Sequence, residues 1–490
     1  MPGGTTAISL AIILCGFATT SVDAAIPDPA GLEHAAERLG RTLPIWSGVP
    51  FAGILLSIAL FPLLAPHFWH RHFQKVAIAW ALVFFAPFLV QYGQIATFKL
   101  VEVLLIDYVP FLILLWGLYT VSGGILIRAT LVATPALNVA MLGVGTVLAS
   151  FMGTTGASML LIRPLLRANA WRHHKAHVFV FLIFLVANVG GLLTPLGDPP
   201  LFLGFLHGVP FFWTLRLLPQ FAVAVLLVLL VFFAVDTWQM RREIAERPSH
   251  EAPHKRTAFH LEGTHNFWLL AAILGAVLLS GLWQTGGARW FGIPFEYRNL
   301  VRDLLIVVAG LVSIVSTPRR VRHDNGFTWD AMKEVGYLFF GIFVTIIPVL
   351  MMLRAGTEGS MAWLASGVSQ PWQYFWVTGA LSSFLDNAPT YVTFFALALG
   401  QLGIRPEEVG AVLSGSVAHP NAARFALYLT GISAGAVFMG ANTYIGNAPN
   451  FMVLSIAKEH GVKMPSFFGY MAWSVLVLIP TFIVLTCLFY

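Results

Sequence analysis

The sequence predicts an all-α polytopic membrane protein, with about ten transmembrane helices and two re-entrant hairpins set in inverted repeats. Three observations carry that fold class: a chain too apolar to face water, apolar runs long enough to span a bilayer, and two charge-poor stretches interrupted by polar tips. Of 490 residues, 58% are hydrophobic and 10% charged, against about a quarter charged in ordinary soluble domains. That balance excludes a soluble enzyme, a disordered scaffold and a nucleic-acid module. The formal charge of +6 does not restore the last of these, because the basic residues fall in short clusters between apolar runs. Cys15 and Cys487 have no metal-ligand or CxxC neighbour, so no cysteine chemistry is indicated.

At the N-terminus, the short apolar stretch Ser9–Ala18 followed by small residues reads residues 1–25 as a signal peptide, with a first transmembrane helix as the alternative. A helix crossing about 30 Å of hydrocarbon needs about 20 apolar residues. Runs of that kind lie at about 46–65, 76–95, 108–127, 176–194, 214–235, 266–286, 301–317, 332–353, 421–439 and 467–489. Two further stretches are long enough for a pair of short helices meeting at a tip: one at about 137–166, around Gly153-Thr154-Thr155-Gly156, and one at about 360–400, around Asp386-Asn387-Ala388-Pro389. Non-helical backbone at membrane depth is tolerated only when buried in protein or lining a wet cavity, so both are read as re-entrant. With these spans, the basic clusters around Arg71, Arg172, Arg242, Arg320 and Lys458 all fall on one face, which the positive-inside rule makes cytoplasmic. The first half then covers 46–236 and the second 266–490, joined by a polar cytoplasmic linker, 237–265, expected to hold little fixed structure. The expected location is the cytoplasmic membrane, as a multi-pass protein in contact with lipid.

The two halves echo each other. Gly191-x-x-Thr194-x-x-Gly197-Asp198-x-Pro200 and Gly440-x-x-Thr443-x-x-Gly446-Asn447-x-Pro449 share one pattern, and His207-Gly208-Val209 matches His460-Gly461-Val462. Ser150-Phe151 precedes the first tip as Ser383-Phe384 precedes the second. By span count the two units are inverted, and the paired motifs mark broken helices at about 176–206 and 421–459. Proline removes a backbone donor and frees a carbonyl one turn back, which is what an ion or substrate at the membrane midplane uses.

On these motifs, with Gly153–Ser158, Asp386–Thr390 and the Phe327-Thr328-Trp329 to Gly341-Ile342-Phe343 stretch, the chain resembles the ion transporter superfamily, in its citrate transport and NhaD-type sodium/proton antiporter branch. The resemblance covers nearly everything after residue 45. It implies an elevator-type carrier, a homodimer through its scaffold, and hairpins and broken helices that move together. The Ser-Asn-Thr tips of the superfamily's dicarboxylate carriers are not spelled here.

Asp386 is the leading candidate. A carboxylate near the bilayer centre is costly unless solvated, paired or protonated, and Ser383, Asn387 and Thr390 supply hard oxygens beside it that suit a transient sodium ion. Its position before Asn-Ala-Pro equally suits a helix N-cap. Asp198 fills the matching slot in repeat one, as a second titratable group or a turn residue. The wider candidate set adds Thr154, Thr155, Ser158, Thr194, Asn442, Thr443 and Asn447. Asp107 is read as interfacial, and His177 with its neighbours as part of a basic loop. The expected function is exchange of sodium or lithium for protons, with no cofactor beyond the transported ions and no enzymatic activity. The alternative is a sodium- or proton-coupled carrier of citrate or another di- or tricarboxylate, with Asn442, Thr443, Asn447 and Asn450 lining its pocket.

Overall fold

The computed structural model describes residues 29–246, 257–283, 285–290 and 293–490. The signal-peptide expectation falls on residues 1–25, outside that range. The chain opens with α1 (Pro29–Thr42), α2 (Val49–Leu64), α3 (Pro66–Glu102) and, after a π-helical turn at Val103–Tyr108, α4 (Val109–Ser122). Strand β1 (Leu126–Thr130) leads to α5 (Pro135–Met152), α6 (Thr154–Ala168), α7 (Ala176–Leu185), α8 (Pro199–Leu206) and α9 (Leu218–Glu246). Then come β2 (Thr257–Glu262), α10 (His265–Leu282), the small strands β3 (Gly287–Trp290) and β4 (Ile293–Glu296), and α11 (Tyr297–Ser316). The remainder is helical: α12 (Arg319–Asp324), α13 (Asp330–Thr345), α14 (Ile347–Arg354), α15 (Ala362–Gly367), α16 (Pro371–Ser382), α17 (Asn387–Leu402), α18 (Val409–Ser414), α19 (Ala422–Met439), α20 (Ala448–Glu459) and α21 (Phe467–Phe489).

Among the described residues, seven helical segments are long and apolar enough to cross a membrane, or eight when the bent pair α13 and α14 counts as one span. That is fewer than the ten that hydropathy alone suggests, and the reasons are local. The run at 76–95 lies inside the 37-residue α3, which kinks at Gly93. The run at 108–127 yields a helix of 14 residues, α4. The run at 176–194 gives the ten-residue α7, followed by a 3-10 turn at Val189–Leu192 and a break. One arm expected to be re-entrant, α5, is itself 18 residues and apolar enough to span.

The linker also holds more structure than its composition suggests. Helix α9 continues to Glu246, and β2 pairs antiparallel with β1. Arg128 of β1 forms ion pairs with Glu262 of β2 and with Asp324 of α12, so the junction is clamped at both ends. Asp324 is held below the usual carboxylate range by the Arg128 guanidinium, then by His323.

Helices α5 and α6 form one hairpin, turning at Gly153, and α16 and α17 form the other, turning through Ser383–Asp386. The second arm of each hairpin packs on the half-helix of the opposite half: α6 against α20, and α17 against α8. This exchange brings two tips and two helix breaks to one place.

Candidate functional site

Each break begins the same way. Helix α7 gives out into the 3-10 turn at Val189–Leu192, and α19 into Gly440–Asn442. The Thr194 hydroxyl then donates to the Ser150 carbonyl of hairpin one, as the Thr443 hydroxyl donates to the Ser383 carbonyl of hairpin two. Each threonine oxygen also accepts the amide two residues on, from Leu196 at 3.2 Å and Ile445 at 3.3 Å. A Cβ on Gly197 would strike the Gly191 carbonyl, and one on Gly446 the Gly440 carbonyl, so glycine is what lets each break fold back on itself. Asp198 and Asn447 then sit as extended N-cap residues of α8 and α20. At the first tip, Gly153 has φ +81°, a conformation open to glycine, and α6 starts at Thr154 immediately after it.

The centre of this convergence is Asp198. Its Oδ1 accepts from the Thr154 hydroxyl at 3.0 Å and from Asn447 Nδ2 at 3.3 Å, and its Oδ2 accepts from Asn387 Nδ2. Both tips and both breaks thus meet on one carboxylate, which is 2% exposed. All three donors are neutral. The Asn387 side chain, with its amide nitrogen turned toward Asp198, leaves its own Oδ1 buried without a protein partner. Asn442 Oδ1 and the Ser158 hydroxyl are likewise buried and unpartnered.

The other candidates take supporting places. Asp386 is the N-cap of α17, accepting from the Ala388 amide at 3.0 Å while the Thr390 hydroxyl donates to its carbonyl at 3.0 Å. It makes no hydrogen bond to Asp198. The N-cap role that its sequence context offered is therefore present, and the contacts centre on the other acid. Asn442 donates to the Ser383 hydroxyl at 2.9 Å. Thr155 is half-buried one residue beyond the contact set, and Ser158 lies a turn further along α6.

One residue that sequence reasoning missed is Asn188. Fully buried, it donates to Asn450 Oδ1 at 2.7 Å and to the Ile183 carbonyl at 2.8 Å, and accepts from Asn447 at 3.2 Å. Asn450 in turn donates to the carbonyls of Gly440 and Thr443, at 2.8 and 2.9 Å, which holds the second break open. The available signal was a lone amide inside the apolar run of α7 and the residues after it, since a polar side chain at that depth needs partners.

Four helices, α6, α8, α17 and α20, point their N-termini toward this site. Helix N-termini favour anions through their free amides and dipoles. Here Pro199 and Pro200 open α8, Pro389 follows Ala388 in α17, and Pro449 is the second residue of α20, so three of the four ends have lost N–H donors.

The chain matches the family described as "Putative citrate transport" over residues 40–490. The chain belongs to this citrate transport family. A membrane transporter is the activity that membership supports, and no curated protein matches the chain significantly. Within a citrate transport family member, the broken helices and the buried carboxylate between them form the candidate site.

Proposed function

We propose that this protein is a secondary active transporter that exchanges sodium or lithium for protons across the cytoplasmic membrane, and that Asp198 is the group that alternates between them. The observation that carries this is the donor set around Asp198: one carboxylate, neutral side chains, and a buried unpartnered amide oxygen on Asn387. Unpartnered acceptor oxygens beside a carboxylate suit a hard cation, and a proton on Asp198 satisfies the same carboxylate when the cation leaves. Prolines at the helix starts argue in the same direction, because they remove the amides that a carboxylate substrate would use. The duplicated threonine, glycine and N-cap geometry supports an inverted repeat. Cross-packing of hairpins and half-helices supports their moving as one unit, the elevator that the family resemblance implies. A homodimer follows from that resemblance.

A second proposal has its own support. The family description names citrate, and the first tip keeps amides at Thr155 and Gly156, so coupled uptake of a di- or tricarboxylate is the competing function. Purified protein in liposomes with an imposed pH gradient separates the two. Sodium addition should drive proton efflux that Asp198→Asn abolishes and Asp386→Asn retains at altered rate. Silence toward sodium alone, with sodium-dependent uptake of labelled citrate, would overturn the exchange and favour the carboxylate carrier.

A further inference from the structure

The half-helix α8 carries Asp198 at one end and His207 at the other. His207 Nε2 lies 3.2 Å from Asp107 Oδ1 in the π-helical turn Val103–Tyr108, with side chains 12% and 8% exposed. Asp107 is therefore buried inside the protein. The surroundings are apolar: Phe395 of α17 stands 6.0 Å from the imidazole, and Phe202 and Phe205 line the same helix. Neither facing atom has a well-formed hydrogen bond, whether to the other or to any further group. The equivalent residue of the second half, His460, is exposed and turned back onto its own helix, 2.9 Å from the Ile456 carbonyl. The buried acid–base pair therefore belongs to one half only.

We propose that Asp107 and His207 form a second proton-binding site, and that opening of the contact between α8 and the π-helical turn releases a proton. Closed, the pair holds one proton between its two members and is neutral overall, the state that burial favours. Separated into water near neutral pH, a carboxylate of ordinary pKa about 3.9 holds none and an imidazole of about 6.5 holds less than one. Acid therefore holds the contact shut and base releases it, whichever solute Asp198 binds. A π-turn inside a helix is a frequent mark of a functional position.

Most of the other charged groups around the pair are ion-paired, and Arg354 is exposed. Lys99 and Glu102, at the end of α3, form an ion pair at 2.7 Å, and Arg354 at the end of α14 lies within electrostatic reach. On α11, Arg302 pairs with Asp303 at 2.8 Å and stacks over Phe202. From α17, the Tyr391 hydroxyl lies against Gly204. The hydroxyls of Tyr108, Tyr119 on α4 and Tyr428 on α19 donate to the carbonyls of Gly336, Thr328 and Ser369, and Arg424 is the remaining ionisable group of α19. Among the described residues, Asp107 and His207 are the titratable pair that faces across this boundary.

Hydrogen–deuterium exchange on the purified chain, at about pH 5.5 and about pH 7.5 and corrected for intrinsic rates, tests this directly. Residues 199–209 should lose protection as pH rises, by up to tenfold per pH unit for one linked proton. In Asp107→Asn and His207→Gln that pH dependence should vanish, while α5 and α19 stay protected as the folding control. Should one variant lose that control protection, the other decides. A wild-type segment with no pH dependence, or a folded variant that keeps it, overturns the proposal. The readout needs no transport, so it is independent of which cargo Asp198 serves.

Discussion

The two hairpins meet at the same carboxylate but are held by different physics at their open ends. Hairpin one is pinned by charge. Asp236 of α9 accepts from Asn138 at 2.9 Å, pairs with Arg172 at 2.6 Å and lies 2.7 Å from His177, with Arg172 and Asp236 wholly out of solvent. Asn138 and Asn169 exchange hydrogen bonds across the two arms at 3.1 and 3.0 Å. Hairpin two is closed by neutral and aromatic contacts. The Tyr374 hydroxyl donates to Gln401 at 2.7 Å, Gln401 donates to the Val368 carbonyl at 2.7 Å, and Tyr374 packs on Tyr428 with centroids 4.5 Å apart. A buried ion pair fails abruptly, because removing one partner strands the other charge, whereas neutral contacts fail in small steps. Hairpin one is the more firmly closed at its open end, and hairpin two is the arm that can give.

Five substitutions would break or sharpen that contrast. Asp236→Ala strands Arg172 and should cost about 3–5 kcal/mol, read as a large loss in thermal unfolding in detergent. A cost no greater than that of Tyr374→Phe would end the distinction. Gly153→Ala places a side chain at φ +81° and should cost about 1–3 kcal/mol. At hairpin two, Asn387→Ala should leave its tip stable while removing the Asp198 partner and weakening transport. Tyr374→Phe should cost about 1 kcal/mol, and proteolysis of native protein should show α16 and α17 opening before α5 and α6. The smallest effect belongs to the clamp between the halves. Arg128→Met should lower the melting temperature slightly above about pH 4, the ordinary carboxylate range. Asp324 has its pKa depressed by Arg128, so this contribution is present above the unfolded value and lost as pH falls through the depressed one. A melting difference that persists well below that range would point to packing instead.

Much of the site was legible in the sequence because its parts are local. Gly-x-x-Thr-x-x-Gly followed by a capping residue and proline specifies a break on its own, and Gly153 specifies a tip. Which acid sits at the centre was not legible, because Asp198 meets Asn387 across 189 residues and Asn447 across 249. Asp386 satisfies its neighbours locally, and local sequence cannot distinguish a cap from a site. Arg172 and His177 looked like a solvated basic loop, and only the fold of α9 over them shows that both are buried on Asp236. Fewer apolar runs form single long helices among the described residues for a related reason: hydropathy measures apolar length, whereas kinks and breaks are set by contacts.

Helix α3 connects the protein to its lipid in a mechanical sense. Its 37 residues would measure about 55 Å if straight, against about 30 Å of hydrocarbon. His67, His70, Arg71, His72 and Lys75 crowd its first turns, while the Lys99–Glu102 pair ends it, immediately before the turn that carries Asp107. A thicker or thinner bilayer is met by bending at Gly93, where the backbone already leaves helical geometry. That bend stands between the basic end and the turn that packs on α8, so a change of acyl-chain length is taken up at Gly93 before it reaches the half-helix that holds Asp198.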